Sequence, residues 1–236
     1  MDLKDILENG IANDVYRSQQ YYFVYRSIGE HYHLLKDKSE LSEVSSLNFL
    51  QASSQDLCVL HLAKIFDNPH SKYKTRTLKG LIEEAVKSYR QENIYLRFAD
   101  NLIKLQKLTD FNLPSEEFIT PKELKTYLLE VLAQPIIVAR IKSVRLVRDK
   151  YIAHNEFITE NSGLDNFWDD VRFLQDLGSL YLSIIGRHFL QTEYFQFNET
   201  GSNYVHYSML SQMWWLYEML EKTLGEENLV YWWDRG

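Results

Sequence analysis

The chain has 236 residues, 45% of them apolar and 14% aromatic, enough for one large folded domain. Nine glycines and four prolines are too few for a sandwich or barrel that must turn about every ten residues. A net charge of −7 argues against general attraction to nucleic acid or anionic membrane, so any such binding has to come from a local patch.

The single cysteine, Cys58, excludes an internal disulfide and a cysteine-based zinc site and fits a reducing, cytoplasmic setting. No apolar run approaches the roughly 18–20 residues of a membrane span. The opening MDLKDILENG is acidic, unlike a secretory signal.

In chain order, residues 3–35 and 43–66 read as two long helical segments; the aromatic run YYFVY (21–25) has helical pattern on both sides. NPHSKYKTRT (68–77) reads as a loop. Thr77 then caps a helix carrying Leu78, Leu81, Ile82, Ala85, Val86 and Tyr89 at i, i+3, i+4 spacing. A weaker stripe, Phe98, Leu102, Leu105 and Leu108, predicts a helix through 94–108.

TPKE (120–123) predicts a capping box with Pro121 at the first helical position, followed by the stripe Leu124, Tyr127, Leu128, Val131 and Leu132. Pro135 should break that helix, with Ile136-Ile137-Val138 restarting it. ITENSGLD (158–165) reads as a loop. One further helix carries Phe167, Val171, Leu174, Tyr181 and Ile185, and a last one Met209, Met213, Tyr217, Leu220 and Leu224. The expectation is an all-α bundle of six to eight helices. It forms a single domain over 1–236, with its core at roughly 45–190 and residues 190–236 as a C-terminal appendage.

RIKSVRLVRDK (140–150) holds five cations, Arg140, Lys142, Arg145, Arg148 and Lys150, against Asp149 alone, and His154 follows. A positive patch on an acidic body draws a polyanion to one place. The same run also reads as a solvated helix face with basic residues favoured near a helix C-terminus. Ile141, Val144, Val147, Tyr151 and Ile152 can supply the buried side, leaving Arg148 and His154 unneeded for packing.

The order Arg148-Asp149-x4-His154 resembles the signature of the HEPN superfamily: an arginine, a polar follower, then a histidine after four to six positions. RDKYIAHNE is similar to the version in abortive-infection and toxin-type members. The upstream HLAKIFDNPHSKYKTRTLKGLIEE is similar to their earlier segment, in which a helix ends in Asp, a Ser/Thr-rich loop follows and a helix opens on Leu. The resemblance covers roughly residues 45–190. Where some HEPN toxins carry a tyrosine modified by a nucleotidyltransferase antitoxin, two residues after the histidine, this chain has Glu156.

The resemblance implies a HEPN-like bundle acting as a metal-independent endoribonuclease, a toxin or defence effector, with no cofactor. The ribose 2′-OH attacks the adjacent phosphate, leaving a cyclic phosphate and a free 5′-OH. Histidine suits proton transfer near neutral pH and arginine suits the phosphate charge. Arg148 and His154 would be the catalytic pair, with Asp149 polarising either, and Arg145 and Lys150 would hold flanking phosphates. The implied partners are RNA, a second copy of the chain and an antitoxin protein. The alternative is a non-catalytic HEPN-like module that binds RNA, nucleotide or a protein through the same patch. In a straight helix, residues six apart face about 240° apart. Either the helix ends or distorts before His154, or a homodimer brings two motifs to one cleft.

His31 and His33 form H-x-H, but alternate helical residues point about 200° apart and no third ligand is suitably spaced, so no metal is expected. His61 reads as a core or capping histidine, and Asp67 as a helix end, a role at the cleft being its other reading. The aromatic tail, with four of the five tryptophans, reads as a packed last helix with a terminal clamp, or as a dimer or partner surface.

Overall fold

The computed structural model describes residues 3–38, 41–69, 76–88, 94–95, 100–115, 118–153, 166–195 and 207–232. Helix α1 (Leu3–Ile6) passes through a π turn, Leu7–Ile11, into α2 (Ala12–Lys38). Helix α3 (Leu41–Phe66) returns alongside it: Cys58 faces Ser18 and Gln51 faces Tyr25, so the two run antiparallel. Then follow α4 (Leu78–Ser88), α5 (Asp100–Thr109), α6 (Pro121–Ala133) and α7 (Pro135–Leu146). Helix α7 widens into a π segment, Val147–Ile152; α8 (Phe167–Ile185) does the same over Gly186–Leu190, and α9 (Tyr207–Leu224) comes last. The chain is an all-α bundle, as its periodicity predicts.

The local signals act as expected. Thr120 Oγ1 accepts the Glu123 amide at 3.2 Å while Glu123 Oε2 accepts the Thr120 amide at 2.6 Å, a complete capping box behind Pro121. Leu124, Tyr127, Leu128, Val131 and Leu132 are all buried. At Pro135 the preceding Gln134 turns out of the helix (ψ 136°), because the proline ring excludes helical geometry there, and α7 restarts at once. Thr77 Oγ1 accepts the Gly80 amide at 3.2 Å and caps α4.

Two expectations are corrected. The helix predicted over 94–108 begins only at Asp100; Ile94 and Tyr95 instead pair antiparallel with Phe118 and Ile119, the two-residue ladder that joins the ends of this excursion. Tyr151 is 44% exposed and does not pack, because the π turn rotates it off the seam that Val144 and Val147 bury. The loop reading of 158–165, together with Glu156 and the side chains of Met209 and Met213, lies outside the described residues.

Helix α8 is the axis of the main core, burying Leu174, Leu177, Leu180, Leu182 and Ile184 among others. A polar seam crosses it: Gln175 Nε2 donates to Ser18 Oγ at 2.8 Å and Gln19 Nε2 to Ser179 Oγ at 3.1 Å, and these two bonds fix how α2 meets α8. Helix α9 packs on α2 through a separate cluster, Val24, Ile28 and Leu35 against Leu216, Leu220 and Leu224. Trp232 packs on Phe23 and donates to Ser27 Oγ at 3.0 Å, while Trp214, Trp215 and Met219 are exposed. The tail is thus a clamp at one end and an open aromatic face at the other.

His31 belongs to that clamp. Its Nδ1 donates to the Ser27 carbonyl at 2.7 Å and its Nε2 accepts the Val230 amide at 2.8 Å, which assigns the neutral tautomer. Burial pushes its pKa down.

Candidate active site

The end of α3 organises the site. Asp67 directly follows α3, and Arg148, 81 residues away in the π segment, donates from Nη1 to its Oδ2 at 2.7 Å. The other edge of the same guanidinium donates from Nε to Asp149 Oδ1 at 2.7 Å. These bonds, that to Asp149 foremost, hold the Arg148 pKa above its ordinary value against the opposing effect of burial. Only 21% of the side chain is exposed, so the fork is pinned in one orientation.

Arg145, one turn earlier, lies with Nε 3.4 Å from Asp67 Oδ1 and donates from Nη2 to the Phe66 carbonyl. That carbonyl belongs to the last turn of α3, where a cation satisfies both an unpaired acceptor and the helix dipole. Two guanidiniums thus share one carboxylate.

The other cations of the run behave differently. Arg140 pairs with Asp170 at 2.8 Å and lies 4.4 Å above the Phe173 ring. Lys142 and Lys150 are exposed. Arg140, Arg145 and Arg148 therefore all meet carboxylates, two of them from other elements, and the field of this run is weaker than five cations against one acid imply.

The backbone departs from a straight helix after Arg148. The Ala153 amide donates to the Arg148 carbonyl at 2.9 Å, an i→i+5 bond that widens the last turn before His154. The helix does distort there. His154 itself lies outside the described residues.

Two cavities flank Asp67. A smaller one, about 370 Å³, has Arg145, Lys142 and Ile141 among its lining residues. The larger, about 700 Å³, is an open cleft lined by polar groups and Gly10: Asp67, Lys64 and His61 from the end of α3, Asn13, Asp14 and Arg17 from α2, and Arg76 and Thr77 before α4.

His61 is mostly buried, its side chain 14% exposed, but it lines this cleft and is not a plain core or capping residue. Its Nδ1 donates to Asp14 Oδ1 at 2.6 Å, Lys64 Nζ donates to the same oxygen at 3.2 Å, and Tyr21 stacks on the ring at 5.7 Å. Burial pushes Asp14 up, but the bonds from His61 and Lys64 outweigh it and hold the carboxyl below its usual range. The sequence signal was the i, i+3 spacing of His61 and Lys64, which sets these two ionisable groups on one face of α3 just before Asp67.

Comparison with protein-family models, curated proteins and solved structures gave no match. Among the described residues no cluster of His, Cys, Asp or Glu is arranged to hold a metal ion, and no helix is long and apolar enough to cross a membrane.

Proposed function

We propose that this protein cleaves RNA without a metal, by the HEPN-type route in which a ribose 2′-OH attacks the neighbouring phosphate, with Arg148 and His154 as its catalytic pair. The observation that carries the reading is the state of Arg148. Its guanidinium is oriented by two carboxylates from different elements, Asp67 and Asp149, on a π turn that ends two residues before His154. π segments interrupting a helix recur at functional sites. A guanidinium so held meets phosphate oxygens without reorganising, and preorganised donors of this kind typically contribute about 10²–10³ in rate.

Asp149 is then a positioning residue, and Arg145 and Lys150 bind flanking phosphates. In this reading the active species is a homodimer, in which the open face of Trp214, Trp215 and Met219 offers an apolar surface for a second copy. An antitoxin that masks the cleft, and a cytoplasmic site of action, complete it.

A second reading rests on the same pairing. Because Arg145 and Arg148 are already matched by Asp67, the segment also suits a non-catalytic helical module that binds RNA, nucleotide or a protein. Total RNA incubated in EDTA separates the two. Chelator-resistant cleavage that disappears in Arg148→Ala and in His154→Ala supports the enzyme. RNA retained on the wild-type protein but never cut supports the module and sinks the nuclease.

A further inference from the structure

The cleft beside Asp67 contains a titratable group that this mechanism has not used. His61 is bound at Nδ1 by Asp14 and lines the 700 Å³ cleft; no described residue is recorded on its Nε2. A carboxylate on Nδ1 fixes the tautomer, so that in the neutral ring Nε2 carries the lone pair. Lys64 follows one turn along α3 and Asp67 another, the latter carrying Arg148. Six residues of helix rise by about 9 Å from His61 to Asp67. Asp67, which carries Arg148, lines the same cleft as His61 and Lys64. Across the cleft Arg17 donates only to the neutral Asn13 side chain, at 3.2 Å, and meets no carboxylate among the described residues. Among the described residues of the wall, Arg17 is thus left available to the strand backbone.

Resting on the RNA-cleavage reading, we propose that His61 is its general base, that Asp14 is the positioning residue for it, and that the cleft carries the RNA strand. His61 Nε2 takes the 2′-OH proton as the O2′–P bond forms. The P–O5′ bond breaks, and the 5′-oxygen leaves with the bonding pair and takes a proton from His154. Asp14 keeps its bond to Nδ1–H throughout and is never protonated. Lys64 and Arg148 offset the charge that builds on the phosphorus-bound oxygens.

The test compares an ordinary RNA oligonucleotide with one whose scissile 5′-oxygen is replaced by sulfur, a leaving group that needs no acid. His61→Gln is expected to slow cleavage by about 100-fold or more on both substrates. His154→Ala should be slow on the oxygen substrate and recover on sulfur. Asp14→Asn should follow His61→Gln in its pattern, and it carries the comparison if circular dichroism shows His61→Gln unfolded. Wild-type rates in His61→Gln, or a loss that sulfur relieves, would overturn the assignment of the base while leaving Arg148 and His154 in place. If the wild-type protein cuts neither substrate, the RNA-cleavage reading falls and takes this proposal with it.

Discussion

Replacing Asp67 with alanine removes the carboxylate that Arg145 and Arg148 share, and the structure sets the size of the effect. The three side chains are 36%, 28% and 21% exposed. Solvent-exposed pairs contribute about 0–1 kcal/mol, and breaking a buried pair costs about 3–5 kcal/mol. This pair lies between those limits. Arg148 retains Asp149 and Arg145 retains the Phe66 carbonyl, which softens the loss. We therefore expect Asp67→Ala to lower stability by about 2 kcal/mol, or Tm by about 4–8 °C for a chain of this size. A double-mutant cycle with Arg148→Ala, read by urea denaturation, isolates the direct term and should give a coupling of about 1 kcal/mol. Because the guanidinium is mostly buried, much of that coupling should survive in about 1 M salt, where exposed pairs are screened. A coupling below about 0.3 kcal/mol would mean that Asp67 does not hold Arg148, and the preorganisation argument would fail with it.

Three further outcomes follow from the described geometry. Thr77→Ala should cost about 1 kcal/mol by removing the acceptor for the Gly80 amide, visible as a lower urea midpoint. Burial holds His188 down to about 4 and also lowers His31, so unfolding takes up protons below about pH 6.5; stability should be constant above that pH and fall between it and about 4. His188→Leu should flatten this slope, and an unchanged slope would contradict the assignment. The Cys58 thiol, pushed up to about 12 by burial, should react with a thiol reagent only after unfolding.

What could be read in the sequence was whatever depends on neighbours in the chain. The Thr120–Glu123 box, the Pro135 break and the Leu124–Leu132 stripe each need only three to eight residues of context. The partners of the basic run could not be read that way. Asp67 reaches Arg148 across 81 residues and Asp170 reaches Arg140 across 30. A run of cations was visible where the folded chain has mostly ion pairs. His61 was hidden for the same reason: among apolar neighbours it looks like core, and only the antiparallel return of α3 along α2 brings Asp14 to it. The π turn at Val147–Ile152 left no trace in the apolar spacing, although it is what displaces Tyr151 and opens the turn before His154.

The most direct test of the central claim is an analysis of product ends. A DNA oligonucleotide carrying a single ribonucleotide, incubated with the protein in EDTA, should be cut once, leaving a 2′,3′-cyclic phosphate and a 5′-hydroxyl, and Arg148→Ala should lower that yield about 100-fold or more. Cutting of the all-deoxy control, a requirement for added divalent ion, or an undiminished yield from Arg148→Ala would contradict the account.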